Sequence, residues 1–369
     1  MKKNAKGYLR STFTIDGKRY TVYGKNNNEL FEKESKKRAE IEQRINTREN
    51  PTVEEYCSRR LEFRKDGISY NTYRNIKRAM NSICKIHINS VDLKFGEIKL
   101  KKVSSDDLKE VQNALKKTCK TSTVNDHMSK LKHMFCDAVR ERIIIYNPFD
   151  MITNIKRTEE KARETYHRAL NLQEQEKFFN SDLTKRSKYY NIFCFAINTG
   201  MRIGEIGALK YKDIKSDHIY VQRTITRTHG DTFGIGEDTK TSAGIRKIPI
   251  NDSIRKIIDR QKALNEKRVG CKIIDLEAIL FTAPRGGLIY DQYVNAEIKK
   301  ICQAEEIETF TSHSFRDTFA TRAIENGMKP KTLQEILGHK DYGMTMNLYC
   351  HVMEDTKVQE MNNLRIMTQ

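Results

Sequence analysis

The sequence predicts a mainly α protein with small β parts, an α+β chain in several segments. Apolar residues recur at helical spacing behind Ser, Thr or Asn caps through most of its 369 residues. Strand-forming runs are short and confined to about residues 7–25, 218–226 and 245–250. A strong hairpin signal, Asp16-Gly17, sits inside the first of these runs. There is no internal repeat and no low-complexity tract.

In chain order, Tyr8, Thr12, Phe13, Thr14, Ile15, Tyr20, Val22 and Tyr23 favour strands on either side of that turn. A helix follows from about Asn28 to Arg44, with Leu30, Phe31 and Ile41 on its apolar side. Residues 50–150 are predicted to be all-helical. Thr52-x-x-Glu55 is a capping box, in which hydroxyl and carboxylate each satisfy a free N–H of the first turn. Ser69 caps a second helix, with Tyr73, Ile76, Met80 and Ile83 at helical spacing. Ser104 or Ser105 opens a third through Leu108, Val111 and Leu115. Thr121 or Ser122 opens a long fourth, with Val124, Leu131, Phe135, Ala138 and Val139 on one stripe, and Asn147-Pro148 is expected to stop it.

The stretch from Met151 to His167 is charged and poor in apolar residues, which predicts a linker. Beyond it Asn171-x-x-Glu174 caps one helix, and a second runs to Asn198, where Gly200 suits a helix end. Strands are expected at His218–Thr226 and Ile245–Ile250, with Thr239–Gly244 near a turn between strands. Helices are expected at about Ser253–Leu264, Tyr290–Ala304, His313–Asn326 and Thr332–Leu337.

The formal net charge is +19, and +15 of it lies in residues 1–157. Such a surplus attracts a polyanion, most commonly nucleic acid. A membrane is the rival, but the chain has no apolar run near the ~18 residues of a spanning helix; the longest notable one is Ile143-Ile144-Ile145. Met1-Lys2-Lys3-Asn4 leads into no apolar stretch, so no signal peptide is expected. The eight cysteines form no C-x-x-C pair and have no histidine at zinc-finger spacing, which suits reduced thiols in the cytoplasm. No carboxylate cluster has metal-binding spacing, and neither metal nor cofactor is expected. Candidate phosphate contacts are Lys18, Arg19 and Lys25 on the early strands. Arg74, Lys77, Arg78, Lys130, Lys132, Arg140 and Arg142 are further candidates on the faces opposite the helical stripes.

Cleaving a phosphodiester with a side-chain nucleophile needs a hydroxyl, cations on the non-bridging oxygens and an acid for the leaving oxygen. Arginine suits the second task, because its planar fork bonds two oxygens and keeps its charge. Arg202 stands in Thr199-Gly200-Met201-Arg202-Ile203-Gly204-Glu205, where a glycine-ended helix and a turn would place it at a helix start. Arg316 stands three residues after His313, so the two share a helix face. Leu337-Gly338-His339 follows, and then Tyr349, with Cys350-His351 after it.

Taken together these residues resemble the tyrosine recombinase (phage integrase) family. Its box T-G-x-R-x-x-E is met by Thr199, Gly200, Arg202 and Glu205, followed by Leu209 and Asp213. Its second box is met by His313, Arg316, Leu337, Gly338, His339 and Tyr349. The resemblance implies that Tyr349 is the nucleophile of a 3′-phosphotyrosyl intermediate and that Arg202 and Arg316 clamp the phosphate. It also implies a leaving-group acid on a β-hairpin, which Lys240 matches, with Ile245–Ile250 as the return strand. His313 and His339 would bond the phosphate and help position Tyr349 or handle its proton, and Glu205 would orient Arg202. Tyr211 stands where many relatives have tryptophan, a mild change for a packing role. Tyr342 is the other tyrosine near the box.

The domains implied are an arm-type DNA-binding module at 1–48, a helical core-binding (SAM-like) domain at 49–155, and a linker at 156–167. The catalytic domain, mostly helical with a β-hairpin sheet, would span 168–352, and a tail expected to dock on a neighbouring subunit would span 353–369. The expected function is integration and excision of a phage or conjugative transposon of Gram-positive bacteria. The expected partners are double-stranded DNA at core and arm-type sites, three further copies in a tetramer, an excisionase and host DNA-bending proteins. The protein would associate with the nucleoid when bound to DNA.

Overall fold

The computed structural model describes residues 8–15, 18–42, 50–156, 168–228, 232–236, 244–272, 275–284 and 286–352. For Ile15, Lys18, residues 39–42 and residues 349–352 it describes the backbone alone. The chain forms two compact units, residues 1–161 and 162–369. Among the described residues helices dominate, and every sheet is a pair of short antiparallel strands.

The first unit opens with β1 (Leu9–Ile15) and β2 (Lys18–Gly24), in register from Leu9 opposite Gly24 to Ile15 opposite Lys18. Asp16 and Gly17 lie outside the described residues. Helix α1 (Asn27–Glu42) packs on this pair through Leu30, buried with Leu9 and Phe13. Gly24 permits the approach, since a Cβ there would lie 2.6 Å from the Leu30 nitrogen. The expectation for Phe31 fails: it is 74% exposed. It follows Leu30 by one residue, roughly 100° around the helix, so both cannot face the sheet.

The helical block of this unit contains α2 (Val53–Arg64), α3 (Tyr70–Cys84), α4 (Ser105–Thr118) and α5 (Thr121–Arg140). Thr52, Ser69 and Ser104 cap the first three as expected, and the Thr52–Glu55 box is closed at 3.2 and 2.7 Å. Helix α5 starts behind Lys120, without a side-chain cap. Val53, Tyr56, Ile83, Leu108, Val111, Val124, Leu131 and Phe135 form the buried core. Asp137, also buried, ties α5 to α2 by accepting from Arg60 Nε at 2.9 Å. A small pair, β3 (His87–Ile88) and β4 (Leu93–Lys94), is too short to leave a sequence pattern.

Two further expectations need correction in this unit. Helix α5 ends at Arg140, well before Asn147-Pro148. Arg142 takes a positive φ of 60°, and Ile143 and Ile144 turn back into the core with Ile143 N–H on Ala138 O at 2.9 Å. Burying that apolar pair stops the helix, while Asn147 caps a short turn at Pro148–Met151. The start of the expected linker also belongs to the block. Asn125 bonds Ile155 in both directions, at 2.9 and 3.0 Å, and Ile152 and Ile155 pack on the core. Residues 157–167 lie outside the described residues.

The second unit runs through α6 (Leu172–Asn180), α7 (Asp182–Arg186), α8 (Tyr190–Thr199) and α9 (Ile203–Ile206). Strands β5 (His218–Val221), β6 (Thr224–Arg227), β7 (Phe233–Gly236) and β8 (Arg246–Pro249) follow. It closes with α10 (Asp252–Val269), α11 (Asp291–Ala304), α12 (His313–Glu325), α13 (Pro330–Leu337) and α14 (Tyr342–Val352). Its core centres on Phe178, whose ring lies 5.1–5.8 Å from Phe310, Phe193 and Phe315. Tyr211 packs against this core, its hydroxyl receiving Asn265 Nδ2 at 3.0 Å.

The single strand expected at 218–226 is two strands in different sheets. Gln222 and Arg223, between them, turn to the buried Asp213, with Arg223 Nη2 at 2.6 Å from both oxygens. Strand β8 pairs with β5, whereas β7, which the sequence reading missed, pairs with β6. Among the described residues the strands on either side of 237–243 pair with β6 and with β5, and residues 237–243 lie outside those described. Among the described residues no helix is long and apolar enough to cross a membrane, and no His, Cys, Asp and Glu cluster could hold a metal.

Candidate catalytic site

The site begins where α8 ends. Gly200 closes the helix with φ +64°, in the left-handed region that disfavours side chains. A Cβ there would lie 2.6 Å from Phe319 Cδ1 and 2.8 Å from a Leu337 methyl. Thr199 steadies the turn by donating to Phe195 O at 2.7 Å and accepting from Met201 N–H at 3.3 Å. Met201 is buried, and Arg202 emerges at the N-cap position of α9.

Arg202 is held by Glu205, one turn on, which accepts its Nη1 at 2.8 Å and its backbone N–H at 3.0 Å. Glu205 is buried and also receives Arg246, at 2.7 Å from Nη2 and 3.2 Å from Nη1. Burial alone would raise this carboxyl, but the Arg246 bond and charge, with Arg202, bring it down to about 2. Arg246 in turn donates to Ile336 O at 2.6 Å and Gly244 O at 3.2 Å. It is the residue that sequence reading missed. The available signal was alternation: in β8, Arg246 and Ile248 face inward while Lys247 and Pro249 face out.

Arg316, on the first turn of α12 and 2% exposed, joins the two boxes. Its Nη1 donates to Gly200 O at 2.8 Å and its Nη2 to Leu337 O at 2.6 Å. Its neighbour Phe315 sits in the aromatic core, 5.5 Å from Phe310 and 5.7 Å from Phe193, and so fixes this turn. The remaining Arg316 N–H groups have no hydrogen-bond partner among the described residues. Burial, reinforced by Arg202, draws the guanidinium down to about 9, so it is charged at neutral pH. Arg202 is more open, its side chain 44% exposed.

Helix α13 ends at Gly338, φ +67°, and releases His339 into the same site. Its Nδ1 lies 2.9 Å from Thr345 Oγ1. Burial first, then the charges of Arg316, Arg202 and Arg246 and the nearby His313, push His339 down to about 4. A neutral imidazole, a half-buried His313 and guanidinium groups thus converge on one place, and the excess positive charge suits a bound anion. Helix α14 packs on α12 and α13, with Leu348 against Ala320, Ile324, Leu333 and Leu337. Tyr349 lies in its last turns, and Tyr342, 44% exposed, opens it. Lys240 and the tail at 353–369 lie outside the described residues.

The candidate phosphate contacts of the first unit differ in exposure. Arg19, Lys25, Lys77, Arg78, Lys132 and Arg142 are exposed, and Lys18 contributes its backbone to β2. Arg74 and Lys130 are half-buried, with Lys130 paired to Asp126. Arg140 pairs with Asp137 at 3.3 Å. Lys77 lies 5.8 Å from the centre of the Tyr73 ring.

Comparison with known proteins places this geometry. The phage integrase family matches residues 166–355, and the phage integrase SAM-like domain matches residues 52–158. The transposase from transposon Tn916 of Enterococcus faecalis is 29% identical over 66% of this chain, a match that spans 61% of that protein. The ICEBs1 integrase of Bacillus subtilis is 25% identical over 76% of this chain and 74% of its own. Among solved structures, the Tn1549 transposon integrase in complex with a circular intermediate DNA superposes with a TM-score of 0.70. It is 27% identical and covers 85% of this chain and 100% of that one.

Proposed function

The chain belongs to the phage integrase family, and from that premise we propose that it is a site-specific recombinase of double-stranded DNA that integrates and excises a mobile element. The observation that carries the reading is the Arg316 bridge. One guanidinium is fastened to Gly200 and Leu337, and the charges of Arg316, Arg202 and His313 all act on His339, which supports an anion site there. That site is in the same unit as the helix bearing Tyr349.

In this reading the Tyr349 hydroxyl passes its proton to His313 as its oxygen attacks the scissile phosphorus. The bond from phosphorus to the 5′ oxygen breaks and a 3′-phosphotyrosyl ester forms. Arg202 and Arg316 stabilise the charge that develops on the non-bridging oxygens, and Glu205 and Arg246 keep Arg202 in place. Lys240 gives a proton to the departing 5′ oxygen. A 5′ hydroxyl from the partner strand then attacks the ester and restores Tyr349, so the energy of the cut bond is conserved. Residues 1–48 would hold arm-type DNA through Lys18, Arg19 and Lys25. Residues 49–155 would hold the core site through Arg74, Lys77, Arg78, Lys130 and Lys132. Residues 156–167 would link them to the catalytic domain at 168–352. Four copies would assemble on two sites with the tail at 353–369 docked on a neighbour, and an excisionase and DNA-bending proteins would set direction.

The test is recombination between two plasmid-borne copies of the DNA flanking the gene. Exchange of flanking markers is expected. Relaxation of supercoils by a protein that never exchanges strands would overturn the reading in favour of a topoisomerase.

A further inference from the structure

Thr345 is fully buried on α14, and its hydroxyl has His339 Nδ1, at 2.9 Å, as its hydrogen-bond partner among the described residues. A buried O–H seeks an acceptor. With Thr345 as the donor to this ring nitrogen, Nδ1 carries the lone pair and the single proton of the neutral ring sits on Nε2. The His339 backbone is already clamped at the end of α13. Its N–H donates to Gln334 O at 3.2 Å, and its carbonyl accepts Gln334 Nε2 at 3.1 Å. What remains to be fixed is the ring, and Thr345 fixes it.

Thr345 lies one helical turn before Tyr349 on the same helix. We propose that Thr345 is a positioning residue that holds His339 as the Nε2–H tautomer, so that the phosphate donor is ready only while the helix carrying Tyr349 is docked. The proposal rests on the recombinase reading for the phosphate role of His339, whereas the tautomer is a property of the free protein. Serine keeps the hydroxyl and valine keeps the shape without it, so the pair separates hydrogen bonding from packing.

The experiment is side-chain 15N spectroscopy of the histidines at neutral pH in wild type, Thr345→Val and Thr345→Ser, with His339→Gln assigning the signal. The same proteins are assayed for adduct formation on nicked duplex. Wild type and Thr345→Ser should show one Nε2–H tautomer for His339. Thr345→Val should show a mixture and cleave about tenfold more slowly, as losing one such bond implies. A wild-type spectrum with the proton on Nδ1 overturns the proposal, and needs no variant that folds. Cleavage by folded Thr345→Val at the wild-type rate overturns it as well. Wild-type protein that binds the duplex yet forms no adduct, while showing the Nε2–H signal, overturns the recombinase reading and with it the coupling to phosphate, leaving the tautomer assignment standing.

Discussion

A charged side chain in this site is defined by what holds it. Arg316 spends two donors on carbonyls of distant segments and presents the rest, a role that needs a rigid fork. Arg316→Lys should therefore fail almost as fully as Arg316→Ala. Both should lose about 10²- to 10³-fold in adduct formation with duplex affinity nearly unchanged, as read from single-turnover cleavage beside a binding titration. Arg202, Glu205, His313, Arg316 and His339 were legible in the sequence because each stands inside a short motif with its own chemical sense. Arg246 was not, because its partner Glu205 is far away in the chain and only the fold joins them. Removing Glu205 leaves the Arg246 guanidinium buried without its carboxylate, so Glu205→Gln should cost about 3–5 kcal/mol in urea unfolding. The sign with pH follows from the direction of the shift. A carboxyl held at about 2 stabilises the fold above its ordinary value near 4.5, and that contribution fades as pH falls from there toward 2. The gap between wild type and Glu205→Gln should narrow across the same range.

Elements were easiest to read where caps and stripes agree. Thr52, Ser69, Ser104 and Asn171 each start the helix expected of them, because a capping hydroxyl or amide acts within its own turn. Helix ends and strand partners were harder. Helix α5 ends where Ile143 and Ile144 find the core, and the expected strand at 218–226 breaks where Arg223 finds Asp213. Both events are tertiary, and no local propensity encodes them. Gly200 is the element boundary on which the site depends. Gly200→Ala must hold an alanine at positive φ and push Phe319 and Leu337 aside, a cost of about 1–3 kcal/mol. Because Arg316 hangs from the same carbonyl, cleavage should fall further than the thermal midpoint suggests. Paired calorimetry and cleavage measurements would show it.

At the scale of the whole chain, the first 157 residues carry most of the surplus charge, and the candidate catalytic site lies in the second unit. That division was visible in the sequence as a charge gradient, while the partners of the individual surface cations were not. Replacing Lys77, Arg78 and Lys132 with Gln should flatten the dependence of duplex affinity on salt by about 0.9 in the logarithmic slope for each residue that touches phosphate. Cleavage of DNA already bound should not change. Unchanged slopes would move the grip to another face. The account as a whole turns on one covalent bond. Wild type and Tyr349→Phe would be incubated, with chelator present, on nicked suicide duplexes drawn from the DNA flanking the gene. The measurement is an SDS-resistant adduct at a 3′ phosphate, with the modified peptide sequenced. The account predicts an adduct from wild type alone, on Tyr349. An adduct of equal yield from Tyr349→Phe, most directly one on Tyr342, would contradict it.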